Sequence, residues 1–230
     1  MKKKIIFDLE GILIGNIYYL MLYKNLIETI IDNCKHKKID NELCHINKDL
    51  WKKNISPHFF RPFLKEFFNK YKSKYDFYIF TKLEKEIALG LIEIIEEFAN
   101  VSFKKPIFTS EDLLLDSNNN YNKEISFFSP LSSYIIIDKV EYWSKETKVI
   151  TPKLYEYTFI PIIDSSIISL IRTLDIKINT YLLPMIFTEN YDDFFLNYHL
   201  FSAQLFKSVK YDNEEFIKDD FLIKYLLRNK

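Results

Sequence analysis

Apolar and polar positions along this chain fall into blocks whose period changes from strand-like to helix-like and back. Lys4 to Ile14, containing IIFDLEGILI, has too little polar alternation for a half-exposed strand, so it predicts a central strand covered on both faces. Asn16 to Asp32 carries helical apolar spacing, and Asn33 to Ser56 is polar, basic and loop-like. Pro62, whose fixed φ suits a first helical turn, opens a helix through FLKEFFNKYKSKY. DFYIFT then predicts a short strand ending at Thr81, and Leu83 to Phe98 an amphipathic helix with acids and lysines on its wet face. After a polar stretch around Lys123, SYIIIDKV predicts a second buried strand that ends in Asp138, with KVIT and TFIPII as further short strands. From Asp164 the pattern turns helical, with a break at Pro184.

Short apolar strands alternating with helices predict an α/β fold with a mainly parallel central sheet in a three-layer, doubly wound arrangement. The expected organisation is one domain over residues 1–174, with 15–57 as an insertion or small lid, and a helical C-terminal extension over 175–230 packed on it. Ligands of open parallel sheets bind outside the carboxyl ends of the strands. Asp8, Thr81 and Asp138 all sit at such predicted ends, and this convergence is the most informative feature of the sequence.

Composition narrows the chemistry. With three glycines in 230 residues, Gly11, Gly15 and Gly90, neither a GxGxxG turn nor a glycine-rich phosphate loop is present. Lys plus Arg and Asp plus Glu both number 32, so the basic excess of a nucleic-acid-gripping domain is missing and no nucleic-acid partner is expected. No apolar stretch reaches the length of a membrane span, and Asp8 and Glu10 interrupt the run that a signal peptide needs, so the expectation is a soluble intracellular protein of nucleus or cytoplasm.

Two carboxylates at neighbouring strand ends can hold one hard cation through oxygen ligands, and magnesium suits them. A lysine and a hydroxyl nearby can neutralise and hydrogen-bond a phosphoryl group. With its charge masked, Asp8 is placed to attack phosphorus and form an aspartyl-phosphate. Strand-end acids also serve as plain helix caps and loop anchors, a reading that the pattern alone leaves open.

The stretches IIFDLEGILI, RPFLKEFFNKYKSKYDFYIFTKLEKEIA, NYNKEIS and SYIIIDKVEYW through VITP span about residues 3 to 165. Their order resembles the haloacid dehalogenase superfamily, and within it the family of RNA polymerase II carboxy-terminal-domain phosphatases and NLI-interacting factors. The mitochondrial inner-membrane import translocase has a receptor subunit that shares this domain. The resemblance implies that Asp8 is the nucleophile and a metal ligand, Thr81 the hydroxyl that binds the phosphoryl group, Lys123 the lysine that offsets charge, and Asp138 the distal metal ligand. It implies magnesium as cofactor, Asp8, Glu10 (through its carbonyl) and Asp138 as the metal set, and phosphoserine or phosphothreonine in an extended peptide of a protein partner as substrate.

Three positions depart from that family's pattern. Glu10 stands where the second Asp of Asp-x-Asp protonates the leaving group and later activates water, and Ile12 replaces Thr or Val. The extra methylene of Glu10 moves its carboxyl by about 1 Å, a misplacement that costs on the order of 100-fold. Lys139 stands beside the distal ligand where the family has Asp or Asn; its ammonium repels magnesium or pairs with Asp138. The expected function is therefore a degenerate, catalytically impaired phosphatase-like domain that binds a peptide or protein. The alternative is an active magnesium-dependent phosphoprotein phosphatase acting through Asp8. A phosphatase for small metabolites is disfavoured, because no large cap insertion separates the motifs.

Other clusters read more plainly. Cys34, His36, Cys44 and His45 bring zinc to mind, but adjacent Cys44 and His45 do not easily reach one tetrahedral ion, and the segment reads as a solvated loop. The aromatic stripe FFRPFLKEFF reads as core at helical spacing, and Arg61 as a tether for a neighbouring loop.

Overall fold

The computed structural model describes residues 2–176 except 39–45, 54, 116–119, 125, 127, 129–133, 144–148, 160, 162 and 164. Residues 177–230, which contain most of the expected C-terminal extension and Pro184, lie outside the described residues.

Two compact units divide the chain. The first contains the residues up to Gly15 together with Phe60–Glu156. Its centre is a four-stranded sheet of β1 (Lys3–Phe7), β2 (Tyr75–Ile79), β5 (Tyr134–Ile137) and β6 (Val149–Ile150), in the order β2-β1-β5-β6. Every pairing is parallel, and Phe7 faces Ile79 on one side and Ile137 on the other. The α/β class and the mainly parallel sheet are thus as the periodicity predicted. β1 lies between two neighbours, and Ile5, Ile6 and Phe7 are fully buried, as its uninterrupted apolar run requires. β2 stands first in the strand order and its burial alternates, with Phe77 and Ile79 buried and Asp76 and Tyr78 partly exposed, while Lys104 and Phe108 N–H groups donate to the Phe77 and Ile79 carbonyls on its outer side.

Two helices belong to the same unit, α2 (Leu64–Tyr71) and α3 (Lys85–Ala99). Phe67 and Phe68 of α2 meet Phe7 edge-on at centroid distances of 6.1 and 5.9 Å, so the aromatic stripe is core, as expected. Phe60 stacks on Phe98 of α3 at 3.8 Å. α2 begins two residues later than Pro62 suggested. Phe63 takes φ 63°, an unusual conformation for a bulky residue, and Leu64 N–H donates to the Arg61 carbonyl, closing a turn before the first helical residue. The unit also holds a short antiparallel hairpin, β3 (Leu114–Leu115) with β4 (Tyr121–Asn122), in a region whose polarity had predicted no strand.

The second unit contains Asn16–Phe59 and the described residues from Tyr157 onward. α1 (Tyr18–His36) runs four residues beyond the predicted helix, and α4 (Ser165–Thr173) forms where the pattern turned helical. Lys37 Nζ donates to the Leu174 carbonyl at 2.7 Å, and Asn16 N–H to the Tyr157 carbonyl at 2.7 Å. TFIPII contributes no strand among its described residues, only an isolated parallel bridge between Thr158 and Asn16. Cys34 is buried and disulfide-bonded, which removes it as a zinc ligand; Cys44, the other cysteine of the sequence, and His45 lie outside the described residues. No described helix is long and apolar enough to cross a membrane.

Candidate active site

The parallel register fixes where the site forms. Asp8 is the first residue past β1, and its neighbours past β2 and β5 are Phe80 and Asp138. Phe80 N–H donates to the Phe7 carbonyl at 3.0 Å, Asp8 N–H to Ile137 at 3.3 Å, and Asp138 N–H to Ile150 at 3.1 Å. Three strands therefore deliver Asp8, Thr81 and Asp138 to one edge of the sheet, all buried.

Lys123 reaches this edge from a different direction. It follows β4, and its N–H donates to the Tyr142 carbonyl at 2.8 Å while its backbone forms a parallel bridge with Trp143. The side chain is fully buried and its ammonium is closely committed. It donates to Asp138 Oδ2 at 2.6 Å and to the Phe80 carbonyl at 2.7 Å, and it faces Asp8 Oδ1 at 3.4 Å. The last contact is an ion pair and not a hydrogen bond: Asp8 Oδ1 is buried and receives none. Asp138 is correspondingly crowded, since Trp143 Nε1 donates to Oδ2 at 2.7 Å and Lys139 N–H to Oδ1 at 2.6 Å. Burial raises the Asp138 carboxyl to about 6, with Lys123 opposing the shift and Asp8 adding to it.

The structure thus gathers Asp8, Lys123 and Asp138 into one buried charge group, with Thr81 next to the Phe80 carbonyl that Lys123 binds. Thr81 Oγ1 accepts from Leu83 N–H at 3.4 Å, which fixes the hydroxyl at the start of the turn into α3. Glu10 is half-buried on the turn after β1, two residues beyond Asp8, and its backbone bridges to Ile14. Gly11, next in line, has φ 78°, a conformation that favours glycine. Arg61 holds the same turn from below: its guanidinium donates to the carbonyls of Gly11 at 3.3 Å, Ile12 at 3.2 Å and Lys153 at 3.0 Å. The tether expected of Arg61 is therefore present.

Lys82, Tyr142 and Trp143, none of them a candidate from the sequence pattern, also stand at this site. The Lys82 ammonium sits 3.9 Å from the centroid of the Tyr142 ring, Lys139 Nζ 5.3 Å and Lys123 Nζ 5.8 Å from the same centroid. Lys82 is itself shifted down, first by burial and then by Lys123, with Asp138, Asp8 and Glu141 acting against the shift. The signal for this group was available as EYW, placed just past Asp138, but it needs the 3-10 turn Val140–Tyr142 to fold the ring back over the lysines.

A divalent ion fits this arrangement poorly. Asp8 Oδ1, which accepts no hydrogen bond, is a suitable donor, but Asp138 already accepts three hydrogen bonds, and three ammonium groups stand close to the two buried carboxylates. Among the described residues no group of three or more His, Cys, Asp or Glu side chains is placed to hold a metal ion.

A family model described as NLI interacting factor-like phosphatase matches residues 3–181. The chain belongs to the NLI interacting factor-like phosphatase family. Among solved structures, an RNA polymerase II CTD phosphatase Fcp1 variant from fission yeast, bound to beryllium fluoride, is 19% identical over 68% of this chain and 42% of its own, with a TM-score of 0.41. A second structure of Fcp1, described as an essential RNA polymerase II CTD phosphatase, is 18% identical over 76% of this chain and 49% of its own, with a TM-score of 0.42. A haloacid dehalogenase-superfamily hydrolase from Geobacter sulfurreducens is 13% identical over 62% of this chain and 82% of its own, with a TM-score of 0.34. The chain spans less than half the length of the two Fcp1 chains it matches. No curated protein sequence matches it. In this member of the NLI interacting factor-like phosphatase family, Lys82 and Lys139 add positive charge of their own beside Lys123.

Proposed function

We propose that this domain binds a phosphorylated serine or threonine on an extended segment of a partner protein, with hydrolysis impaired. The observation that carries the reading is the buried Asp8–Lys123–Asp138 group, a prearranged charge pattern beside the Thr81 hydroxyl. Full turnover asks for more than this pattern. Asp8 must form a bond to phosphorus while the bond from phosphorus to the serine or threonine oxygen breaks, and the departing oxygen must take a proton from residue 10. Water then attacks the aspartyl-phosphate, giving its proton back to residue 10 and releasing inorganic phosphate. Glu10 carries the acid one methylene too far for an aspartate's position, so recognition persists where proton transfer falters.

A second reading, an active magnesium-dependent phosphoprotein phosphatase working through Asp8, is favoured by Asp8 Oδ1, a buried acceptor that receives no hydrogen bond. It requires Lys139 to move away from the turn that carries Glu10 and Gly11. Release of phosphate from p-nitrophenyl phosphate and from phosphopeptides, with and without magnesium, separates the two. The proposed function expects little turnover by the wild type and a gain on Glu10→Asp. Rapid, magnesium-dependent turnover that Asp8→Asn abolishes would establish the second reading instead.

A further inference from the structure

We propose that Lys82 and Lys139 supply the positive charge for a phosphate monoester here, so that this chain binds its phosphorylated ligand without a divalent cation. The inference rests on the phosphoryl-binding reading above and goes beyond it, by naming which groups hold the charge and by removing the metal from binding.

Lys123 is the obvious cation, yet it is committed. Of the three protons of the Lys123 ammonium, two are given to Asp138 and the Phe80 carbonyl, and its charge is also paired with Asp8. With the ammonium fully buried and held by these contacts, a ligand oxygen gains chiefly its field. Lys82 and Lys139 differ. Both are half-buried, their tips converge on the Tyr142 ring, and a ring has only two faces on which to receive cations. Lys139 starts at the end of β5 beside Asp138, and its Cε lies 3.7 Å from where a side-chain carbon on Gly11 would stand. The side chain therefore spans from the end of β5 to the turn after β1, across the ground that a bridging cation between those two strand ends would occupy. Lys82 follows Thr81 directly and approaches from the end of β2.

Charge repulsion makes this arrangement incomplete by itself. Three ammonium groups gather on one neutral ring; Asp8, Asp138 and Glu141 offset the charge of Lys82, and the first two of these carboxylates are buried. A phosphate monoester carries nearly two negative charges at neutral pH, and its oxygens accept from ammonium donors in any direction. Placed between Lys82 and Lys139 it relieves the repulsion, and Thr81 stands within the same edge to meet it. A magnesium ion in the same place adds to the repulsion. Affinity and catalytic impairment then have one origin: the lysines that hold the phosphoryl group occupy the metal's ground.

The test is isothermal titration of the full chain with a phosphoserine peptide, its unphosphorylated counterpart and inorganic phosphate, first in EDTA and then in excess magnesium chloride. The expected result is binding of the phosphopeptide in EDTA, unchanged or weakened by magnesium, with Lys82→Gln and Lys139→Gln each weakening it about tenfold. Melting of the unliganded variants at the wild-type temperature shows that the loss is not one of folding. Inorganic phosphate binding as well as the phosphopeptide assigns the affinity to the anion site alone; a preference for the phosphopeptide adds a peptide contribution, and the inference stands in both cases. Binding that appears only with magnesium, or that ignores both substitutions, overturns the inference and leaves phosphoryl recognition intact. Absence of binding under both conditions overturns the two together.

Discussion

Lys123→Met probes the centre of the site, because Met keeps most of the stem's volume and removes only the ammonium. What is lost can be read from the contacts: one buried ion pair hydrogen-bonded at 2.6 Å, a charge-assisted bond to the Phe80 carbonyl at 2.7 Å and a second ion pair at 3.4 Å. What remains is two buried carboxylates with no cation at the base of the site. Removing one partner of a buried pair costs about 3–5 kcal/mol, chiefly through the charge left behind. In a chain of this size each kcal/mol lowers the melting temperature by roughly 2–4 °C, so a fall of about 10 °C or more is expected at pH 7. Asp138, already raised by burial, has one escape, protonation, which becomes cheaper as pH falls. Measured by denaturant titration, the gap between wild type and variant should therefore shrink by about 1–2 kcal/mol from pH 7 to pH 5. A loss below about 1 kcal/mol at pH 7, or one of equal size at both pH values, would refute the view that Lys123 holds two buried negative charges in place.

Two further outcomes follow from neighbouring contacts. Because the Asp138 carboxyl is raised in the folded state to about 6, the native protein binds a proton between its ordinary carboxylate range and pH 6. This group's contribution to stability is fully present below the unfolded value and is lost as pH rises through 6, so Asp138→Asn should compare best with wild type at pH 7 and progressively worse on acidification to pH 5; thermal melting across that range checks it, and a flat difference would count against the shift. Arg61→Met strips three carbonyls of their shared donor and should cost about 2–4 kcal/mol, and Arg61→Lys should recover little of it, since a point charge does not span the turn after β1 and the Lys153 carbonyl together; a stability close to wild type for the Lys variant would argue against a bidentate role.

Much of this site was legible because parallel sheets place strand ends side by side. Three apolar runs ending in Asp8, Thr81 and Asp138 needed only the register to meet, and the register pairs Phe7 with Ile79 and Ile137. Lys123 was legible only through the family resemblance: it lies after a short hairpin whose exposed Leu114, Leu115 and Tyr121 carry neither strand period nor core signal. Lys82 carried no signal, and Tyr142 only that of the EYW just past Asp138. Their meeting depends on one turn of 3-10 helix after Asp138, and no periodicity encodes where such a turn aims a ring. The described residues of TFIPII show only the Thr158–Asn16 bridge, since β-branched and aromatic residues also occur outside strands and composition alone does not distinguish the two.

The place of β1 in the sheet also sets an order of events in folding. Its two partners are Tyr75–Ile79 and Tyr134–Ile137, and the second lies more than half the chain downstream. During synthesis the apolar Ile5–Phe7 segment emerges before both of its partners and is covered on both edges only once Tyr134–Ile137 has followed. Loop closure of that length must precede any reward from pairing, which makes assembly slow and leaves an unpaired apolar strand exposed while it waits. The lysines around it, Lys2, Lys3 and Lys4, give that segment a charged flank, the feature that keeps a waiting strand from pairing with its neighbours on other chains.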